Sequence, residues 1–141
     1  MEIAEKKRKV LHFLKQHHMG VIATLGGRQP EAAAIDFSET AQLEVVFTTL
    51  AFYRKYKNLR KNSRVAFVVG GEENITLQYE GVAEELSVKA FAKYLKRHIQ
   101  KNPVEKKFAA MPEARFFRVK PVWLRYSDFT AGSDRIFEMK F

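Results

Sequence analysis

The sequence predicts an α+β chain, mainly β, built on an antiparallel sheet with enough strands to close into a barrel. Three observations predict it. Twelve Phe and five Tyr suit pleated, half-buried surfaces. Several short runs of β-branched and aromatic residues are separated by turn-forming residues. In four further places the apolar period lengthens from that of a strand to that of a helix. With 141 residues and 46% hydrophobic content, one domain over residues 1–141 is expected.

Residues 2–17 read as a helix, with Ile3, Val10, Leu11 and Leu14 on one face and Lys and Arg around the rest. His17 and His18 fall near its end, where imidazole suits the helix dipole, and Gly20 is a plausible stop. GVIATL (20–25) and EAAAIDF (31–37) are strands joined by GGRQP. Gly26 and Gly27 give that turn its φ freedom, and Pro30 marks its exit. SETAQ is a second polar turn, and LEVVFTT (43–49) is a third strand.

Phe52, Tyr56 and Leu59 then recur at helical spacing, so 52–62 is expected to be a short amphipathic helix. RVAFVVG (64–70) follows as a strand buried on both faces or nearly so, and ITLQYEGVAEEL (75–86) as an alternating one, with Gly81 at a bulge or a close approach. Ser87 can cap a helix through about Lys101, with Val88, Phe91, Leu95 and Ile99 inward, and Pro103 ends it. VEKKFAAM is a shorter helical piece. ARFFRVK, VWLRYSDF and RIFEMKF complete the sheet as separate strands.

The composition narrows the chemistry. There is no cysteine, which excludes a disulfide scaffold, a thiolate metal site and a cysteine nucleophile. No apolar run nears the roughly 20 residues of a membrane helix, and MEIAEKKRKV lacks the apolar core of a secretory signal. A cytoplasmic protein without a membrane partner is expected. No HExxH accompanies the histidines, no GxSxG is present, and the Gly pairs lie in β-turns rather than in a dinucleotide fingerprint. Glu84 and Glu85 are expected to be one exposed and one charge-paired rather than a catalytic dyad. Trp123, Tyr126 and Phe129 fit core or interface packing, or a planar ligand.

The formal charge of +9 favours anionic partners. It concentrates between Val45 and Gly71, where Arg54, Lys55, Lys57, Arg60, Lys61 and Arg64 meet no acid at all. Arg54 and Lys55 fall in the first turn of the expected helix, against the dipole, beside open N–H groups that attract anions. Thr48 and Thr49 end the preceding strand and add hydroxyl donors. Such a grouping suits a phosphate. A solvated basic helix is the plain alternative. Nucleic acid is a further one, weakened because Tyr56 belongs to the apolar face and no nucleic-acid-binding motif is visible.

The ordered series ATLGGRQPEAAAIDF, LEVVFTT, YRKYKNLRKNSRVAFVV and LQYEGVAEEL resembles the FMN-binding split-barrel family related to pyridoxamine 5′-phosphate oxidase. The resemblance runs from Gly20 to Gly81. It implies an antiparallel split β-barrel with peripheral helices, and a homodimer with FMN at its interface. By position it implies phosphate contacts from Arg54 and Lys55, with Thr48 and Thr49 beside them. Ala33, Ala34, Ile35 and Asp36 would run along the flavin, and Thr76 stands where the oxidase has a Gln near the ring. Ala33, Ser38 and Tyr53 replace the oxidase's Arg, Lys and Ser. TAGSDRIFEMKF lacks its Arg-x-His segment. These departures speak against vitamin B6 oxidase activity. They leave an FMN-dependent oxidoreductase of unknown small-molecule substrate, with no acid or base assigned. A module for another planar cofactor, deazaflavin or haem, is the alternative within the same fold.

Overall fold

The computed structural model describes residues 1–130 and 135–141. Its elements run α1 (Ile3–Gln16), β1 (Met19–Gly26), β2 (Gln29–Asp36), β3 (Ser38–Glu39), β4 (Val45–Leu50), α2 (Arg54–Lys61), β5 (Arg64–Gly70), β6 (Ile75–Leu86), α3 (Val88–Lys101), α4 (Glu105–Ala109), β7 (Ala114–Asp128) and β8 (Arg135–Lys140). The strands form one antiparallel sheet in the order β2-β1-β5-β6-β7-β4-β3, with β8 on β7. It curls into a half-barrel, so the expected antiparallel split barrel with peripheral helices is what the chain forms.

The hydrophobic pattern explains the curl. Strand β5 is not buried on both faces as expected: Ala66 and Val68 face out, and the burial alternates strictly, with Val65, Phe67 and Val69 inward. These join Phe37, Phe47, Leu77, Tyr79 and Leu124 in the main core, which Val10, Phe13 and Leu14 of α1 also enter. A smaller core lies on the other face of β4, where Val46 and Leu50 meet Phe91 of α3 and Phe116 of β7. Gly81 sits at a register shift. A Cβ there would come within 2.5 Å of the Lys120 carbonyl oxygen, so the expected bulge and the expected close approach are both present.

Some expectations need correction. Helix α1 stops at Gln16, so Gly20 does not end it; Gly20 lies in β1, where a Cβ would strike the Phe67 ring at 2.5 Å. SETAQ is not wholly a turn. Ser38 and Glu39 form β3 and are buried. Helix α2 begins two residues late, leaving Phe52 outside it and 57% exposed. Val88 is exposed rather than inward, and His98 takes the buried place near the end of α3. ARFFRVK and VWLRYSDF are one strand. Glu80 pairs with Trp123 and Gly81 with Pro121, so Val122 is the extra residue of the bulge and the chain crosses Pro121 without a break.

Candidate functional site

The start of α2 is an open polar site. Tyr53 occupies the cap position with extended backbone and makes no side-chain cap, and no acid lies in the first turn. Among the described residues, the amides of Arg54 and Lys55 donate to no backbone carbonyl. Two free donors and two cations therefore meet at one helix end. Beside them is a cavity of about 260 Å³ lined by Ile22, Thr24, Glu31, Ala32, Ala33, Tyr53, Arg54 and Lys55. Burial pushes the Lys55 ammonium below its ordinary range, an effect partly opposed by the Glu105 carboxylate. The Lys55 Nζ also lies 5.2 Å from the centre of the Tyr53 ring.

Of the residues singled out from sequence, the cavity brings together Ala33, Arg54 and Lys55. Ala33 pairs with Ile22 across β1–β2 and faces inward with it. Ala34 faces the other way, into a cleft of about 420 Å³ that His17 and His18 also line. Ile35 is core, leaving only its backbone for a ligand. Asp36 lies 3.7 Å from His18 Nδ1. β2 is an end strand of the sheet, so its outer backbone edge has no strand partner.

Thr48 and Thr49 are neighbours on a strand and so point to opposite faces. Thr49 shares the face of Phe47 and the main core, while Thr48 pairs with Phe116 on the face covered by α3. Both Oγ1 atoms are buried and have no hydrogen-bond partner among the described residues. Thr76 pairs with Gly70 and Ser127, two strands beyond β1 and away from the cavity. Lys57, Arg60, Lys61 and Arg64 do not line the cavity. Arg60 instead donates to the Tyr56 hydroxyl at 3.1 Å, which itself donates to Glu85. Glu84 pairs with Arg118, so both members of the acidic pair have partners.

Sequence reasoning missed Thr24 and Glu31 of the cavity wall and Asn58 behind them. Asn58 Nδ2 donates to Glu31 Oε1 at 2.8 Å and to Thr24 Oγ1 at 3.0 Å. Glu31 Oε2 lies 3.1 Å from Arg54 Nη1. The signal was an acid ahead of three alanines on a strand, and an Asn at the fifth position of the basic helix. Neither has a local spacing that marks it.

A second polar cluster was also missed, and it is closed. Ser38 Oγ lies 2.8 Å from His98 Nδ1, and His98 Nε2 lies 3.1 Å from Glu105 Oε1. All three are buried, His98 completely. Next to them Glu39 binds Lys101 Nζ at 2.5 Å and Arg97 Nη2 at 2.7 Å. Burial raises the Glu39 carboxyl, but the bonds from Lys101 and Arg97 outweigh it and hold the group below its usual range. Ser, His and Glu here resemble a hydrolytic triad in composition only. The serine has no route to a substrate, so the group ties α3 and α4 to β3.

A family model described as pyridoxamine 5′-phosphate oxidase matches residues 7–128. The chain belongs to this family. The fold of the pyridoxamine 5′-phosphate oxidase family recurs in solved structures of low identity. A putative pyridoxamine 5′-phosphate oxidase from Listeria innocua is 21% identical, with TM-score 0.70, covering 86% of this chain and 97% of that one. General Stress Protein 26 from Bacillus anthracis is 16% identical, with TM-score 0.77 and coverage of 97% and 99%. A heme binding protein from Mycobacterium smegmatis is 15% identical with TM-score 0.79; the match covers 99% of this chain but 59% of that one. These likenesses concern the fold. No curated protein matches the chain. No helix among the described residues is long and apolar enough to cross a membrane.

Proposed function

We propose that this member of the family binds FMN and acts as a small oxidoreductase. The observation that carries the reading is the convergence of Arg54, Lys55 and two open amides on a cavity walled by Ala32 and Ala33. A phosphate dianion suits the cations and amides. A wall of alanines on an end strand leaves flat ground for a planar ring, with backbone groups to address its edge.

The cavity is smaller than the roughly 300 Å³ at which small-molecule sites usually begin. One chain therefore supplies part of the site, and a second copy completes it. The outer face of the sheet supports this, since Val21, Val68, Val82 and Val122 are each at least 40% exposed there.

Flavin, when bound, supplies the hydride and electron chemistry itself. The chain's residues hold and orient: Arg54 and Lys55 fix the phosphate end, and β2 sets the plane of the ring. No side chain of the cavity is assigned as acid or base. Protein purified without additives should be yellow, or quench FMN fluorescence on titration. Replacing Arg54 and Lys55 together by Ala should abolish this, and undiminished affinity in that variant would overturn the assignment.

Haem is the second reading, and one observation favours it. The cleft beside Ala34 carries His17, whose Nδ1 bonds the Phe13 carbonyl at 2.8 Å and leaves Nε2 free. A free imidazole nitrogen is a haem ligand. A Soret band appearing on haemin titration, lost in His17→Ala, would select this reading over flavin.

A further inference from the structure

Glu31 stands where a phosphate site has least use for an acid. Its carboxylate is 18% exposed and projects into the cavity that Arg54 and Lys55 line. Two elements, α2 and β1, hold it there. From α2, Asn58 donates to Oε1 at 2.8 Å, and Asn58 is itself buried and tied to Thr24 of β1. The other oxygen, Oε2, takes Arg54 Nη1 at 3.1 Å. Gly26 faces the same group, and a Cβ there would come within 3.0 Å of the Glu31 carboxyl carbon. The carboxylate thus has a seat made for it: a donor on one side and a missing side chain on the other.

The two ends of the Glu31–Arg54 pair are unequal. Arg54 is 75% exposed and meets Glu31 through one nitrogen. A pair so open to water holds its arginine weakly. The carboxylate, by contrast, is anchored on buried Asn58 and stays when the arginine moves. An incoming phosphate can take Arg54 from Glu31, but the negative charge remains a few ångströms away. With Glu31 ionised, Arg54 and Lys55 leave the cavity a formal charge of +1 to set against a dianion.

We infer that Glu31 is a specificity-determining residue, a built-in carboxylate that competes with the ligand's phosphate for Arg54 and weakens the site for phosphomonoester dianions. This rests on the phosphate reading of the cavity, and it concerns the strength and charge preference of that site. Its consequence is that uncharged parts of the ligand must supply a larger share of the binding.

The test compares the full-length protein with Glu31→Gln, a change that keeps an acceptor for Asn58 and the shape of the side chain. Isothermal titration is run with FMN, riboflavin and inorganic phosphate, after thermal melting confirms that the variant folds. The expected result is that FMN and inorganic phosphate each bind about tenfold more tightly to Glu31→Gln, as removal of one nearby like charge implies. Riboflavin, which has no phosphate, should change by less than about twofold. Weaker or unchanged phosphate binding in Glu31→Gln overturns the inference, the weaker result making Glu31 a positioner of Arg54. If FMN fails to bind wild type while inorganic phosphate binds more tightly to the variant, the flavin reading falls and the role of Glu31 stands. If phosphate and FMN bind neither protein, both fall.

Discussion

The start of α2 and the end of α3 each gather polar side chains, and they dispose of them in opposite ways. At the end of α3 each charge has an opposite partner: Glu39 takes Lys101 and Arg97, and His98 lies between Ser38 and Glu105. At the start of α2 there are two cations, two open amides and, among the described residues lining the cavity, a single acid, with Glu105 acting on Lys55 from outside the lining. The first arrangement is internally paired and, apart from half-exposed Arg97, shut off from water, so it serves the fold. The second keeps donors unspent beside a cavity, so it is ready for a ligand. A titratable cluster alone therefore does not mark a site; access and unsatisfied donors do.

If this contrast is right, mutations should sort cleanly. The largest effect on stability is expected from Lys101→Ala. It leaves the Glu39 carboxylate buried with Arg97 alone and frees the Leu14 carbonyl. Urea unfolding should show a loss of about 3 kcal/mol, with FMN affinity of the folded protein unchanged. Arg54→Ala with Lys55→Ala should do the reverse. Loss of charged hydrogen bonds worth about 1.5–3 kcal/mol each weakens FMN at least about a hundredfold, while the melting temperature stays put. An equal effect of both variants on both readouts would erase the distinction.

Acid probes the closed cluster on its own. The folded Glu39 carboxyl titrates below its ordinary value of 4.5. Its contribution to stability is therefore complete above about that pH and is lost as pH falls through the lowered folded value. Glu39→Gln should flatten the acid limb of a stability–pH curve measured between about pH 5 and pH 2. An unchanged slope would mean that the carboxylate is not held by its partners.

The smallest effects concern the two threonines. Among the described residues neither buried Oγ1 has a partner, so Thr48→Val and Thr49→Val should each stabilise the free protein by up to about 1 kcal/mol. Neither change should weaken FMN, because neither threonine lines the cavity of Arg54 and Lys55. Calorimetry and fluorescence titration on the pair would show it.

Much of this was legible in the sequence, where a physical signal was local. Strand alternation in β6, the Ser87 cap and the bulge at Gly81 all depend on neighbours in the chain, whereas the open outer face of β5 depends on what the sheet leaves uncovered and was not legible. Arg54 and Lys55 were legible because the helix start that exposes them is itself a local feature. Glu31 was not, since its role depends on Asn58 lying 27 residues away. The α3 cluster was hidden for the same reason. Ser38 and His98 are 60 residues apart, and SETAQ looks polar because its buried partners are not adjacent to it. The two threonines looked alike as a dipeptide, and only the strand's alternation, once β4 was placed between two cores, sent them to different faces. Pro121 suggested a break in β7 that the bulge at Val122 absorbs.

The measurement that bears most directly on the central claim is the absorption spectrum of the full-length protein, purified without added cofactor and then titrated with FMN. The account predicts the two-banded spectrum of an oxidised flavin, present from the start or saturating at one FMN per chain, and its loss in the Arg54→Ala, Lys55→Ala variant. A colourless protein whose spectrum is indifferent to FMN would contradict it, as would a Soret band in place of the flavin bands.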